Sequence, residues 1–158
     1  MEIRRATGAD AAGVFELNYL FNGAGWTTLE LMRQSLESNT GEIVLVAIDG
    51  ETYAGFCCCA VIRSVCYAEP YCEFTEIYVR EEYRRSGVGT ALTIGMESEC
   101  KVLGINHFHL AIAYDNINSR AMCEKLCYSQ TAYFYEKSTS DIWVTPPYTC
   151  EENDNDRT

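Results

Sequence analysis

An α+β fold on a mixed, mostly antiparallel sheet is what this 158-residue chain predicts. Strand-like and helix-like segments follow in the order β-α-α-β-β-β-α-β-α-β-β, about seven strands flanked by four helices. The pair Asp49-Gly50 separates two β-rich segments, a hairpin signal that makes their pairing antiparallel. From residue 72 to 114 a strand, a glycine-containing turn, a helix and another strand follow one another, which is one right-handed crossover.

Each element has its own signal. "MEIRRA" reads as the first strand, and Ala12, Phe15, Leu17 and Leu20 then recur with near-helical spacing, with Asp10 placed to cap that helix. Gly23 and Gly25 break the pattern before "TTLELMRQSLESN" resumes it with an apolar stripe of Leu29, Met32 and Leu36. "EIVLVAID" and "TYAGFCCCAVIRSV" are the strands either side of Asp49-Gly50, and "YCEFTEIYV" follows a break at Glu69-Pro70. Ala91, Leu92, Gly95, Met96, Val102 and Leu103 continue from Val88 at helical spacing until Gly104 ends the run. In "HFHLAIAY" Phe108, Leu110, Ile112 and Tyr114 alternate, so a fifth strand is expected there. "NSRAMCEKLC" supports a short helix opened by Asn116 or Asn118, and "YSQTAYFYEK" and "DIWVTP" close the chain as strands. One domain is expected over residues 1–145, with the polar segment 146–158 as an acidic tail that does not pack.

Composition narrows the function. A formal charge of −11 repels nucleic-acid phosphates and weakly favours small cationic partners. No apolar run approaches the roughly 18 residues of a membrane span, and the amino terminus lacks a basic region followed by an apolar stretch, so a cytoplasmic protein is expected. The nine cysteines are odd in number, and Cys57, Cys58 and Cys59 are consecutive. Neighbours on a strand point to opposite faces and make no disulfide framework, so reduced thiols are expected. His107 and His109 share a strand face and Cys123 and Cys127 lie one helical turn apart, but no Cys-x-x-Cys or histidine spacing supports a metal site, and none is expected.

The stretch "EEYRRSGVGTAL" carries the chemistry. A glycine turn feeding a helix aims unpaired N–H groups outward along the positive end of the helix dipole, and without Cβ atoms it lets a phosphate come close. Arg84 and Arg85 add charge beside it. A P-loop needs Gly-Lys-Ser/Thr, which is absent, and a dinucleotide turn needs a third glycine where Leu92 stands. The spacing that fits is Arg84-x-x-Gly87-x-Gly89 behind the strand "EFTEIYV". With this motif and the order of elements across residues 1–145, the chain resembles the GNAT acetyltransferase superfamily, whose turn reads R/Q-x-x-G-x-G/A and binds the pyrophosphate of acetyl-CoA. The resemblance implies acetyl-CoA as cosubstrate, held by Arg84, Arg85, Ser86, Gly87, Val88, Gly89 and Thr90. It also implies that the strand before the turn bends, often at a bulge, and splays from the fifth strand. The backbone of Ile77, Tyr78 and Val79 is then free for the acetyl and pantetheine parts, and an N–H there stabilises an oxyanion.

An attacking amine must be neutral, and a lysine-like amine has a pKa of about 10.4, so a proton acceptor is needed. Glu73, six residues before Val79, matches the base position in amine-acetylating relatives and would act through water. On a regular strand it shares the face of Ile77. Glu76 matches an acidic position in polyamine-acetylating relatives and is expected to orient the substrate. Further on, the family pattern N-x-x-A-x-x-x-Y-x-K-x-G-F/Y meets "NINSRAMCEKLCY", with Asn116, Lys125 and Tyr128 in register and Ser119, Cys123 and Cys127 departing from it. Asn116 and Ser119 are thereby expected at the cofactor. Cys123 stands where the family's tyrosine protonates the leaving thiolate; its thiol, with a pKa near 8.5, is much shorter, leaving Tyr114, Tyr128, Tyr133, Tyr135 or solvent as alternatives. Trp26, near Tyr19 and Phe21, falls in the segment that shapes the acceptor pocket in relatives, and Tyr114 is a second substrate-binding candidate. The implied function is acetyl transfer to a primary amine by direct attack, the amine being small and cationic, of the aminoglycoside or polyamine kind. The alternatives are a peptide or protein N-acetyltransferase and a non-catalytic acyl-CoA-binding regulator. A homodimer is possible through the carboxy-terminal strands.

Overall fold

Strand alternation sets the architecture of the computed structural model, which describes residues 1–38 and 41–132. Strands β1 (Glu2–Arg5), β2 (Glu42–Asp49), β3 (Thr52–Ile62), β4 (Tyr71–Val79) and β5 (Phe108–Leu110) form one sheet in that spatial order. The first three pairings are antiparallel, and β4–β5 is parallel. Helices α1 (Ala11–Asn22) and α2 (Leu29–Ser38) follow β1, α3 (Val88–Val102) makes the crossover from β4 to β5, and α4 (Ile117–Lys125) comes last.

The side-chain period of two divides the core. Leu45, Cys57, Cys59, Cys72 and Phe74 pack with Leu92, Met96 and Cys100 of α3. Val46, Phe56 and Cys58 pack on the other face with Val14 and Leu17 of α1 and with Met32 and Leu36 of α2. The three consecutive cysteines thus split between two layers, and all eight cysteines among the described residues are free. The hairpin turns at Asp49-Gly50 as expected, with Gly50 at φ 61°.

Three expectations change. Strand β5 ends at Leu110 instead of running on to Tyr114, because its pairing with β4 stops there. Residues 128–132 of the expected sixth strand form no strand; its remainder and the seventh strand lie outside the described residues. Asp10 directly precedes α1 but does not cap it: its carboxylate accepts from Arg4 at 2.7 and 2.8 Å, from the Thr7 N–H at 2.8 Å and from the Tyr53 hydroxyl at 2.7 Å. No helix among the described residues is long and apolar enough to cross a membrane.

Candidate active site

The site begins with one extra residue. Cys58 pairs with Glu76, but Cys59 pairs with Phe74, so Thr75 forms a bulge in β4. The bulge reverses which face the later residues point to. Glu73 opposite Ala60, Glu76 opposite Cys58 and Tyr78 opposite Phe56 share the α1/α2 face, whereas Cys72, Phe74, Ile77 and Val79 pack towards α3. Glu73 therefore lies opposite the face of Ile77, not on it; the regular strand that would join them is interrupted at Thr75.

The bulge also precedes a gap. The β4–β5 ladder covers Cys72 to Phe74 and stops, so among the described residues 77–79 are paired on the β3 side alone. At the end of β4 the Arg84 Nε donates to the Val79 carbonyl at 3.0 Å, and its guanidinium lies 5.8 Å from the Tyr78 ring centroid. The chain then turns through two left-handed residues, Arg85 at φ 62° and Gly87 at φ 92°, into α3. The first bond of that helix runs from the Ala91 N–H to the Gly87 carbonyl at 2.9 Å. The N–H groups of Val88, Gly89 and Thr90 come before it and have no helical partner. Neither Arg84 nor Arg85 forms an ion pair among the described residues, and both are exposed. Open donors, a positive helix end and two uncompensated guanidinium groups together suit a pyrophosphate.

On the α1/α2 face a cleft of about 510 Å³ opens beside Glu76, lined among others by Asn18 and Asn22 of α1, Trp26, Glu42 and Cys58. The Trp26 indole is 76% exposed, and its Nε1 donates to the Asn22 carbonyl at 2.8 Å, which fixes the ring at the cleft wall. Carboxylate oxygens of Glu42 and Glu76 and the Cys58 sulfur lie within 4.8 Å of one another. The Thr75 hydroxyl, presented by the bulge, donates to Glu42 Oε1 at 3.2 Å. Burial raises the Glu42 pKa, the Thr75 hydrogen bond opposes this and the charge of Glu76 adds to it. Burial and then the two carboxylates push the Cys58 thiol far up, so it stays protonated between them.

A sequence profile described as the acetyltransferase (GNAT) family matches residues 12–127. The chain belongs to the GNAT acetyltransferase family. No curated protein matches it. Among solved structures it is similar to a putative acetyltransferase from Agrobacterium tumefaciens str. C58, at 17% identity and a TM-score of 0.77 over 87% of this chain and 99% of that one. An aminoglycoside acetyltransferase from an uncultured soil metagenomic sample, in complex with sisomicin, matches at 16% identity and 0.73 over 87% and 95%. AAC(6')-Iy in complex with the bisubstrate analogue CoA-S-monomethyl-acetylneamine matches at 16% identity and 0.73 over 87% and 97%. At these identities the likeness is one of fold.

In this GNAT acetyltransferase the remaining candidates stand apart from the cleft. Asn116 caps α4, its Oδ1 accepting from the Ser119 N–H at 3.1 Å. Tyr114 is 87% exposed, carries the Arg120 guanidinium 5.3 Å from its ring centroid and does not line the cleft. Cys123 is buried inside α4's packed face, and burial raises its pKa. Tyr128 donates to Glu97 Oε1 at 2.7 Å, and burial with that carboxylate pushes its pKa well up. Tyr133 and Tyr135 lie outside the described residues. Glu73 is across Ala60 from Glu42 and does not line the cleft. Glu42 is the residue that sequence reasoning misses. The alternation of β2 carries it to the α1/α2 face with Val44, Val46 and Ile48, and a register shift beside Ala47 sets it opposite Ala60 instead of Cys59.

Proposed function

We propose that this acetyltransferase moves the acetyl group of acetyl-CoA to a primary amine of a small cationic molecule, of the aminoglycoside or polyamine kind. The observation that carries this reading is the acidic cleft floor, Glu42 and Glu76, set directly beside the open edge of β4. Two carboxylates in a partly enclosed cleft attract an ammonium group, and the exposed face of Trp26 offers it a cation–π surface. The aminoglycoside ligands of two similar structures agree with that chemistry.

Each residue has a task in this reading. The N–H groups of Val88, Gly89 and Thr90, with Ser86, the left-handed Gly87 and the side chains of Arg84 and Arg85, bind the pyrophosphate of acetyl-CoA. The backbone edge at Ile77, Tyr78 and Val79 holds its pantetheine and acetyl ends, and an N–H of that edge faces the carbonyl oxygen as charge develops there. Asn116 and Ser119, at the start of α4, contact the cofactor. Glu76 orients the ammonium group in the cleft, and Glu73, further along the same face, accepts protons through water. The amine nitrogen bonds to the thioester carbon, the carbon–sulfur bond breaks, and the departing thiolate takes a proton from solvent because Cys123 is packed away. A cytoplasmic homodimer completes the reading and is checked by sedimentation of the purified protein.

Release of free CoA thiol from acetyl-CoA against aminoglycosides, polyamines, amino acids and short peptides tests this, with products identified by mass. Acetylated polyamine or aminoglycoside is the expected product. Acetylated peptide alone would favour the protein-directed alternative, and binding of acetyl-CoA without turnover on any amine would favour the regulator.

A further inference from the structure

Glu42 comes from a strand that supplies no other group to the reaction described above, yet it reaches the cleft floor. Three features place it there. The unbroken alternation of β2 puts it on the cleft face with Val44, Val46 and Ile48, Ala60 between it and Glu73 is too small to cover it, and Thr75, freed by the β4 bulge, holds one of its oxygens at 3.2 Å. The second oxygen is left for a ligand. We propose that Glu42 takes the proton directly from the incoming ammonium, ahead of the water path to Glu73, with Glu76 beside it holding the ammonium group and Thr75 as the positioning residue. The inference rests on the acetyl-transfer reading above and adds a catalytic residue to it.

The surroundings suit that role. The groups facing Glu42 are Glu76 and Thr75 of β4, Cys58 of β3, and Glu73 beyond Ala60. Arg5 of β1 also lines the cleft, but Glu99 pairs with it at 2.6 Å. Among the described residues no other cation lines the cleft, and α1 and α2 contribute neutral side chains such as Asn18, Asn22 and Ser35. A carboxylate in this setting holds a proton more readily than one in water, which brings it closer to the working pH of a general base. An arriving ammonium favours the ionised form of Glu42. The proton then passes from the ammonium to Glu42 as the nitrogen lone pair becomes available; C–N forms, C–S breaks, and Glu42 later returns its proton to solvent.

The test is the pH dependence of kcat/KM for the best amine, in wild type and in Glu42→Gln, Glu76→Gln and Thr75→Val, with acetyl-CoA affinity measured alongside. Glu42→Gln is expected to lower kcat by about a hundredfold, to spare acetyl-CoA affinity and to remove the acid-side inflection. Removing the Thr75 hydrogen bond lifts the Glu42 pKa, so Thr75→Val shifts that inflection to higher pH. Removing the neighbouring charge lowers the pKa, so Glu76→Gln shifts it to lower pH. A purely structural role for Glu42 would not move the inflection in opposite directions in the two variants. An inflection that persists in Glu42→Gln, or that stays in place in Thr75→Val, would overturn the proposal while leaving acetyl transfer intact. Absence of turnover on every amine in wild type would instead defeat the acetyl-transfer reading, and this proposal with it.

Discussion

Asp10 is 2% exposed and carries a full charge, which only its partners make tolerable. The Arg4 fork comes first, then Tyr53 and Thr7, and together they hold its carboxyl well below the usual range although burial acts the other way. A depressed acid stabilises the fold above its unfolded pKa of about 3.9 and loses that contribution as pH falls through the folded value below it. Asp10→Asn is expected to cost about 2 kcal/mol at neutral pH and to flatten the acid limb of stability, as read by urea unfolding between pH 7 and 3. The thiols give a second residue-level outcome. Cys66 and Cys127 are exposed, whereas Cys57, Cys58, Cys59, Cys72, Cys100 and Cys123 are buried. Among the thiols of the described residues, a thiol reagent should label Cys66 and Cys127 rapidly in the native protein and the six buried ones only on unfolding. The sulfurs of Cys72 and Cys100, only 3.2 Å apart, belong to the slow group.

Two glycines act differently in the elements that carry the site. A Cβ at Gly55 would stand 2.6 Å from the Tyr78 carbonyl, so Gly55→Val must push β3 from β4; a loss of about 2 kcal/mol in denaturant unfolding is expected. At Gly89 a Cβ would meet Met122 at 3.4 Å, an ordinary contact, so the fold tolerates a side chain there. A longer acidic one projects a charge in front of the turn's N–H groups. Gly89→Glu is expected to weaken acetyl-CoA binding by at least about a hundredfold in calorimetry with an unchanged circular dichroism spectrum. The helices and the turn were legible because their signals are local: Gly87, Gly104 and the apolar spacing of α3 each act within a few residues. The bulge at Thr75 and the register shift beside Ala47 were not, because both are offsets between two strands and leave no mark on either strand's own sequence. The face of Glu73 relative to Ile77 depends on the first, and the residue opposite Glu42 on the second.

At the scale of the molecule, one sheet separates two jobs. Its α3 face buries the larger core, and its α1/α2 face bears Glu42, Glu73 and Glu76, so part of the net charge of −11 is concentrated where an amine would enter. The overall acidity read from composition pointed to a cationic partner, but only the pairing of β2, β3 and β4 shows those acids meeting on one face beside the gap between β4 and β5. The family was legible in "EEYRRSGVGTAL" and the order of elements; the substrate-facing half of the site was not, because α1, α2 and β2 meet there from distant parts of the chain. An acidic cleft predicts attraction that salt screens, so KM for a cationic amine should rise with ionic strength while KM for acetyl-CoA changes in step with its own phosphate contacts.

The rate of CoA thiol release from acetyl-CoA as a function of polyamine concentration, in wild type and in Glu76→Gln, decides whether acetyl transfer takes place at this cleft. Amine-dependent release in wild type, with a raised KM for the amine and unchanged acetyl-CoA affinity in the variant, is the predicted result. Release that ignores the amine, or an amine KM that Glu76→Gln leaves untouched, would contradict the placement of acetyl transfer at this cleft.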